Sequence, residues 1–518
     1  MSDILHRIPF LTIIYFMPLL AVVALFLIPG KNKTAIRVTS LVFSVISLIL
    51  SIILFFAYDH KAGGLQFVEK INWIPAIGVN YFMAVNGINV ALVLLTGIII
   101  TAGVLASWGI EERPKEFFIL LLTLTTGVFG VFMTYNLFLF FLFYEIAVLP
   151  MYLLIGIWGT GDKEYSAMKL TLYLLVGSAL ILAGLLAIYF ATGLNTFDFD
   201  LIEKFTFDRT FQIIFFPILF VGFGILAALW PFHTWSPDGH ASAPTAVSML
   251  HAGVLMKLGA YGCLIVPVWL FPEGARFWLP VVALMTLVNI VYGSIGAVKQ
   301  TDLKYIVAYS SVSHMGVVMF GIAGMNAVAL SGAVFQMVSH GIMTGLFFGL
   351  IGMTYGRTHT RIIHNMHGLA KVMPKLAVFF AMTGLCSLGL PGLSGFVAEF
   401  VTFVGAFKTY PVMTVISVIG VVVTAFYVLR VVQIVFFGPI DEEYKGLTDA
   451  NPVETLSLSI LMFFIVLFGV YPFQIMQIIH SSVEPISLKL AAAQGSSPFI
   501  DSLHGLVAPL LSKLTGGM

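Results

Sequence analysis

The sequence predicts an all-α polytopic membrane protein of about 14 transmembrane helices. Three observations lead to that fold class. The 518 residues are 59% hydrophobic and 9% charged, against about 25% charged in a soluble domain. The apolar residues lie in long unbroken runs, which excludes a barrel, whose strands alternate over about ten residues. Two of the runs are interrupted by clusters of proline and glycine, at LWPFHTWSPDGHASAP and LGLPGLSGF.

Taken in order, with a span needing about 20 mostly apolar residues, the first seven helices fall at roughly 10–28, 36–57, 83–107, 117–136, 137–158, 165–190 and 211–230. The other seven fall at roughly 244–270, 276–298, 304–324, 327–355, 374–408, 411–437 and 453–473. The opening segment is too long for a signal-peptide core and has no small-residue cleavage site, so it reads as a retained first helix. The tail from about 480 mixes polar and apolar residues and reads as an interfacial segment. Odd-numbered loops carry 13 Lys and Arg and the opposite side carries 9. That bias puts both termini on the outer side, and the reading is an inner (plasma) membrane protein of a bacterium.

Composition excludes several functions. The formal net charge is +1, and no Lys/Arg block exists to neutralise phosphates, so nucleic acid is not a partner. Cys263 and Cys386 have no iron–sulfur or zinc spacing. The histidines of RTHTRIIHNMHG lack an accompanying carboxylate or cysteine. No P-loop, dinucleotide fingerprint or nucleophile with an oriented base occurs. The chain is therefore expected to hold no cofactor and no metal.

The breaks have a mechanical meaning. Proline and glycine interrupt the helical ladder. Interruptions at comparable points of two halves point to an inverted repeat with a transport path at the breaks.

Charged residues inside apolar runs carry the functional reading. Glu145, Lys169, Lys257, Glu399 and Arg430 lie within predicted helices. Facing lipid, they would together cost on the order of 10 kcal/mol. They are therefore expected to face the bundle interior, pair, or line water. Glu145 and Lys257 suit proton uptake and release, because burial and neighbouring charge tune their proton affinity. Glu399 follows the second break by two turns, where it can exchange protons with one side. Arg430 cannot deprotonate, which suits a fixed counter-charge. His314 and His340, on adjacent helices near Ser and Lys, suit a hydrogen-bonded relay. His233 and His240 flank the first break.

Specific motifs then resemble a known family. PFHTWSPDGHASAPTAVSMLHAGVLMKLGAYG resembles the seventh and eighth helices of the antiporter-like subunits of respiratory NADH:quinone oxidoreductase, complex I. QTDLKYIVAYSSVSHMG and LGLPGLSGFVAEF resemble the tenth and twelfth, and RVVQIVFFGP the thirteenth. The likeness covers about 115–440, with the motifs in the family's order. Length, the SVSHMG run and the lack of a long lateral C-terminal helix bring it nearest to the subunit M branch, the counterpart of mitochondrial chain 4.

The resemblance implies two inverted five-helix repeats with helices 7 and 12 broken. It divides the chain into helices 1–3 (1–115), a first repeat of helices 4–8 (116–270), a second of helices 9–13 (271–440), and helix 14 with its tail (441–518). It also implies a polar axis at mid-membrane. Glu145, Lys257 and Glu399 match the family's axis residues, and Lys304, His314 and His340 look like its relay. The expected function is proton translocation by one membrane-arm subunit, driven by electron transfer elsewhere. NADH, flavin, iron–sulfur clusters and quinone are expected in partner subunits, and neighbouring antiporter-like subunits and lipid as the direct contacts.

One position departs from the family. It places a lysine five residues before the proline of its PxHxW motif, and Leu226 stands there. Lys169 is the expected substitute as partner of Glu145. Three other readings remain open: the large subunit of a multisubunit cation/proton antiporter, a module of an energy-converting hydrogenase-type complex, and a scaffold that no longer pumps.

Overall fold

The computed structural model describes residues 8–493. Arg7 and Lys513, counted for orientation, and the tail beyond 493 lie outside the described residues. Thirteen described helices are long and apolar enough to cross a membrane. They are α1 (Phe10–Leu27), α2 (Lys33–Ala57), α3 (Gly87–Ala106), α4 (Pro114–Met133), α5 (Leu137–Trp158), α6 (Lys163–Thr192) and α7 (Arg209–Leu226), then, after the short α8 (Trp235–Ser242), α9 (Thr245–Val268), α10 (Pro272–Lys299), α11 (Leu303–Ala323) and α12 (Ala327–Thr358). Two shorter apolar helices follow, α13 (Pro374–Ser387) and α14 (Ser394–Phe407). α15 (Pro411–Phe436) and α16 (Pro452–Val470) complete the thirteen, and α17 (Phe473–Ala492), not among them, follows. Counting α13 with α14 as one interrupted span gives the 14 spans expected.

Both interruptions fall where proline and glycine cluster. Between α7 and α8 the backbone of residues 227–234 leaves the helix, and Asn289 of α10 satisfies part of it. The Asn289 side chain accepts from Trp230 N at 2.6 Å and donates to Ala228 O at 2.8 Å. Irregular backbone at membrane depth survives only with such protein partners. Between α13 and α14, Gly389 and Gly392 take φ of +77° and +94°, a region open to glycine and strained for other residues.

The helices sort by exposure. The most apolar 18-residue windows of α3, α9 and α12 are wholly buried, and that of α11 nearly so. α2, α15 and α16 turn most of their surface outward, with residues such as Val42, Val415, Val422 and Phe463 exposed. Polar groups placed on α9, α11 or α12 are therefore shielded by a full ring of other helices.

Two features were not expected. Residues 79–85 form a strand, β2 (Val79–Val85), paired antiparallel with β1 (Gln66–Ile74). The third span consequently starts at Gly87 rather than 83, where Asn86 caps it by accepting from Ile88 N and Asn89 N. α17 occupies the first part of the mixed tail. Its buried Ile475, Ile478, Ile479, Ser482, Val483, Ile486 and Leu490 recur at helical spacing, so it docks on the bundle, with Ser482 Oγ accepting from Gly87 N at 2.7 Å.

The loops form two sets, each tied together. On one side Lys33 and Arg37 grip Glu111, Arg361 pairs with Asp302, and Arg357 with Glu454. Hydrogen bonds from Lys33 and then Arg37 hold the Glu111 carboxyl below the usual carboxylate range. On the other side Asp198 is a hub, paired with Lys70 and accepting from Asn80 and Asn136, while Arg276 donates to the last carbonyls of α17. These sets are the odd- and even-numbered loops of the sequence reading.

Close backbone approach holds α9 beside the first break. A Cβ at Gly259 would lie 2.6 Å from Ala227 N and 2.6 Å from Phe223 O, neither of which is a movable side-chain tip. Gly259→Ala should therefore destabilise the folded subunit by about 1–3 kcal/mol, read as a lowered Tm in detergent and reduced amounts in the membrane.

Candidate functional site

The central polar line begins on α9. This helix is α-helical at both ends of its first half but contains two π-helical stretches, His251–Leu255 and Leu264–Val268. Such widened turns recur at functional sites. Lys257 follows the first. Its fully buried ammonium donates back to Ala252 O and lies 2.8 Å from Nδ1 of His340 on α12.

From His340 the line continues without a gap larger than a ring. The His340 and His314 rings are 5.4 Å apart between centroids. Nδ1 of His314, on α11, is 2.8 Å from Oε1 of Glu399 on α14. Nε2 of His314 lies 3.3 Å from Ser387 Oγ, at the end of α13. Gln336 donates to Glu399 Oε1 at 3.5 Å. Lys257, His340, His314 and Glu399 thus form one contact chain, all buried, drawn from α9, α12, α11 and the second broken helix. Glu399 also borders a groove of ≈ 680 Å³ lined by Phe396, Phe400, Phe403 and Lys408.

Lys304 stands apart from that chain. It sits near the start of α11, ten residues before His314, and its ammonium donates to Ala243 O at 2.5 Å, just past α8. Arg361 donates to Ala241 O at 2.7 Å from the loop side.

Glu145 is half-buried on α5. Ser178 of α6 donates to its Oε1, and no ion pair to it occurs among the described residues. The expectation that Lys169 partners Glu145 is corrected. Lys169 pairs instead with Asp238 of α8 at 2.7 Å, and Tyr305 donates to the other Asp238 oxygen at 3.0 Å. The reason is helical rise. Lys169 and the Glu145 partner Ser178 share α6 but are nine residues apart, roughly 13 Å along its axis. Leu226 itself is fully buried beside Gly259.

Arg430 of α15 donates to Val298 O at 2.8 Å, next to the last residue of α10, where the helix dipole favours a cation. His233 meets Tyr292 edge-on. Among the described residues no three His, Cys, Asp or Glu side chains converge as metal ligands, the loop histidines 359, 364 and 367 included.

Asp238, Gln336 and Ser387 escaped the sequence reading. Asp238 lies in the first broken segment, outside the apolar runs in which charges were sought. Gln336 precedes His340 by one helical turn on the same face, a signal that was present but weak.

The Lys169–Asp238 contact predicts an energetic coupling. A double-mutant cycle with Lys169→Met and Asp238→Asn should give an interaction of about 1–2 kcal/mol in thermal unfolding of the subunit, and cycles pairing Lys169→Met with Glu145→Gln should give close to none.

With the geometry established, the comparisons bear on it. Residues 134–426 match the family model described as NADH:quinone oxidoreductase/Mrp antiporter, transmembrane. The chain is 37% identical to NAD(P)H-quinone oxidoreductase chain 4 of Acaryochloris marina, over 97% of this chain and 99% of the relative. Among solved structures it resembles a chain of respiratory complex I from Thermus thermophilus with bound NADH. That match has a TM-score of 0.85 and 26% identity, over 92% of this chain and 99% of the other. The fold is also shared with a chain of the Mrp complex from a Dietzia species, TM-score 0.80 at 19% identity, over 93% and 99% of the two chains. An integral membrane protein with this match, this order of broken helices and this buried line of charges belongs to the NADH:quinone oxidoreductase/Mrp antiporter transmembrane family.

Proposed function

We propose that the chain is a proton-translocating membrane-arm subunit of a complex I-type NAD(P)H:quinone oxidoreductase, of the subunit M or chain 4 type. The observation that carries the reading is the buried contact chain Lys257–His340–His314–Glu399, whose first three members sit on helices enclosed by protein. Identity of 37% to a chain 4 along nearly the whole length supports the complex I assignment. The cation/proton antiporter reading has the shared family model and a fold likeness at 19% identity, and the 37% identity to a chain 4 favours complex I over it.

In this reading the Lys257 ammonium gives a proton to His340 Nδ1 and becomes a neutral amine. The imidazolium passes the proton to His314, and His314 passes it to the Glu399 carboxylate. Glu399 releases it toward the outer side along the adjoining groove. Each move changes the charge seen by the next group and so its proton affinity. Lys304 supplies protons from the inner side. Glu145, held by Ser178, and the Lys169–Asp238 pair respond to the charge state of Lys257 from the first repeat.

The surroundings follow from this assignment. Residues 116–270 and 271–440 act as two inverted repeats, each with one broken helix. Both termini lie outside a bacterial inner membrane. Neighbouring antiporter-like subunits flank the chain, and NADH, flavin, iron–sulfur clusters and quinone belong to other subunits.

Glu399→Gln in the intact complex should leave assembly unchanged and reduce proton translocation roughly 100-fold or more, the range for losing a positioned acid–base group. Dye-monitored acidification of membrane vesicles, set against quinone reduction, measures it, and unimpaired pumping would sink the reading. Co-purification should recover subunits carrying flavin and iron–sulfur clusters; their replacement by antiporter subunits alone would favour the cation/proton antiporter.

A further inference from the structure

The nitrogen of His314 that does not face Glu399 has surroundings of its own. Nε2 lies 3.3 Å from Oγ of Ser387, the last residue of α13. The Ser387 hydroxyl is in turn within bonding reach of the Tyr427 hydroxyl on α15. Tyr427 donates to Ser310 Oγ of α11 at 2.7 Å. Ser310, Ser387 and Tyr427 are all buried. Three spans thus send hydroxyls to one edge of a single imidazole.

Ser387 differs from the other buried hydroxyls of this region. Ser311, Thr344, Thr383 and Thr402 each donate to the carbonyl one turn back. That habit spends the hydroxyl proton on the helix's own backbone. Among the described residues Ser387 makes no such bond, and its partners are side chains.

The order of donors follows from what each group has left. Tyr427 gives its proton to Ser310, so its oxygen offers Ser387 only lone pairs, and Ser387 is the donor between the two. With its proton directed at Tyr427, Ser387 Oγ offers His314 only lone pairs. Nε2 must therefore carry a proton. On the other edge, Nδ1 and Glu399 Oε1 are 2.8 Å apart. Two bare lone pairs do not meet at that distance, so one proton lies between them. The Gln336 amide, 3.5 Å from both atoms, donates to the carboxylate oxygen.

We propose that Ser387 and Tyr427 are positioning residues that keep a fixed proton on Nε2 of His314, so that the ring exchanges protons through Nδ1 alone. In the charged ring both nitrogens hold protons, and Nε2–H donates to Ser387. The Nδ1–H bond breaks, its electron pair stays on the ring, and the proton bonds to Oε1 of Glu399. The ring is left neutral with Nε2–H in place, and the next proton fills Nδ1 again. A ring free to exchange its tautomer would also offer its proton to the Ser387 edge, which leads only to hydroxyls. Ser387 and Glu399 lie on either side of the second break, so that one gap grips both edges of the ring. The inference rests on the translocation reading above, and neither Ser387 nor Tyr427 carries the moving proton.

The test uses the whole complex reconstituted in proteoliposomes, with proton translocation and quinone reduction read together. Ser387→Ala removes the acceptor for Nε2–H. Tyr427→Phe removes one oxygen, keeps the ring, and frees the Ser387 proton to turn toward Nε2. Each should lower the protons moved per quinone reduced roughly tenfold, less than losing the acid–base group itself, with the amount of assembled complex unchanged. Transfer from His314 then limits the rate, so exchanging H2O for D2O should slow the residual translocation by a larger factor than in the wild type. A loss in either variant without that larger isotope effect marks packing and overturns the positioning role. Wild-type coupling in Ser387→Ala or Tyr427→Phe, alongside loss in Glu399→Gln, overturns it too and leaves the translocation reading standing. Wild-type coupling in all three variants overturns that reading instead. Should Ser387→Ala fail to assemble, Tyr427→Phe decides by the same two readouts.

Discussion

A charge in hydrocarbon must be enclosed, and the architecture follows from that constraint. Lys257, His314, His340 and Lys304 all sit on α9, α11 and α12, the helices most completely surrounded by protein. The outer helices turn mostly aliphatic and aromatic side chains outward. Enclosure has a second effect. In a medium of low polarity one unit of charge is felt strongly by its neighbours, so groups at hydrogen-bonding distance cannot titrate independently. The same shell that makes the charges tolerable makes them coupled.

The two broken helices solve a related problem. A polar line across a helical bundle needs side chains that reach its middle from several directions. At the first break Asn289 takes up freed backbone groups, and at the second glycines in the left-handed region turn the chain. Each break also brings polar residues inward: Asp238 and His240 from α8, Ser387 and Glu399 around the gap between α13 and α14. The spans that give up a continuous ladder add polar groups to those that α9, α11 and α12 already place in the interior.

Much of this was legible in the chain. Apolar run length placed nearly all spans within a few residues, and the proline–glycine clusters marked both breaks. Glu399, His314, His340 and Lys257 stood out because few charges occur in such runs, and they do meet. Partnership was harder. Lys169 and Glu145 look like natural partners along the sequence, yet α6 carries Lys169 to Asp238 and presents Ser178 to Glu145. That depends on how far along each helix its neighbours cross, which one-dimensional spacing does not encode. The β1–β2 hairpin was hidden because its strand residues 83–85 continue the apolar run of α3.

The π-helical stretch before Lys257 has a consequence for residue counting. A π turn is an α-helix accommodating one surplus residue, and each residue of an α-helix advances the side chain by roughly 100°. His251–Leu255 therefore rotates everything after it relative to Ser248 and the residues before it. Removing a single residue from that stretch would let the ladder close up into a regular α-helix. It would also swing the ammonium of Lys257 away from His340, with every side chain chemically intact. The direction of the charge is set by a count as much as by an identity, and a single-codon deletion there would change what the helix points at rather than what it is made of.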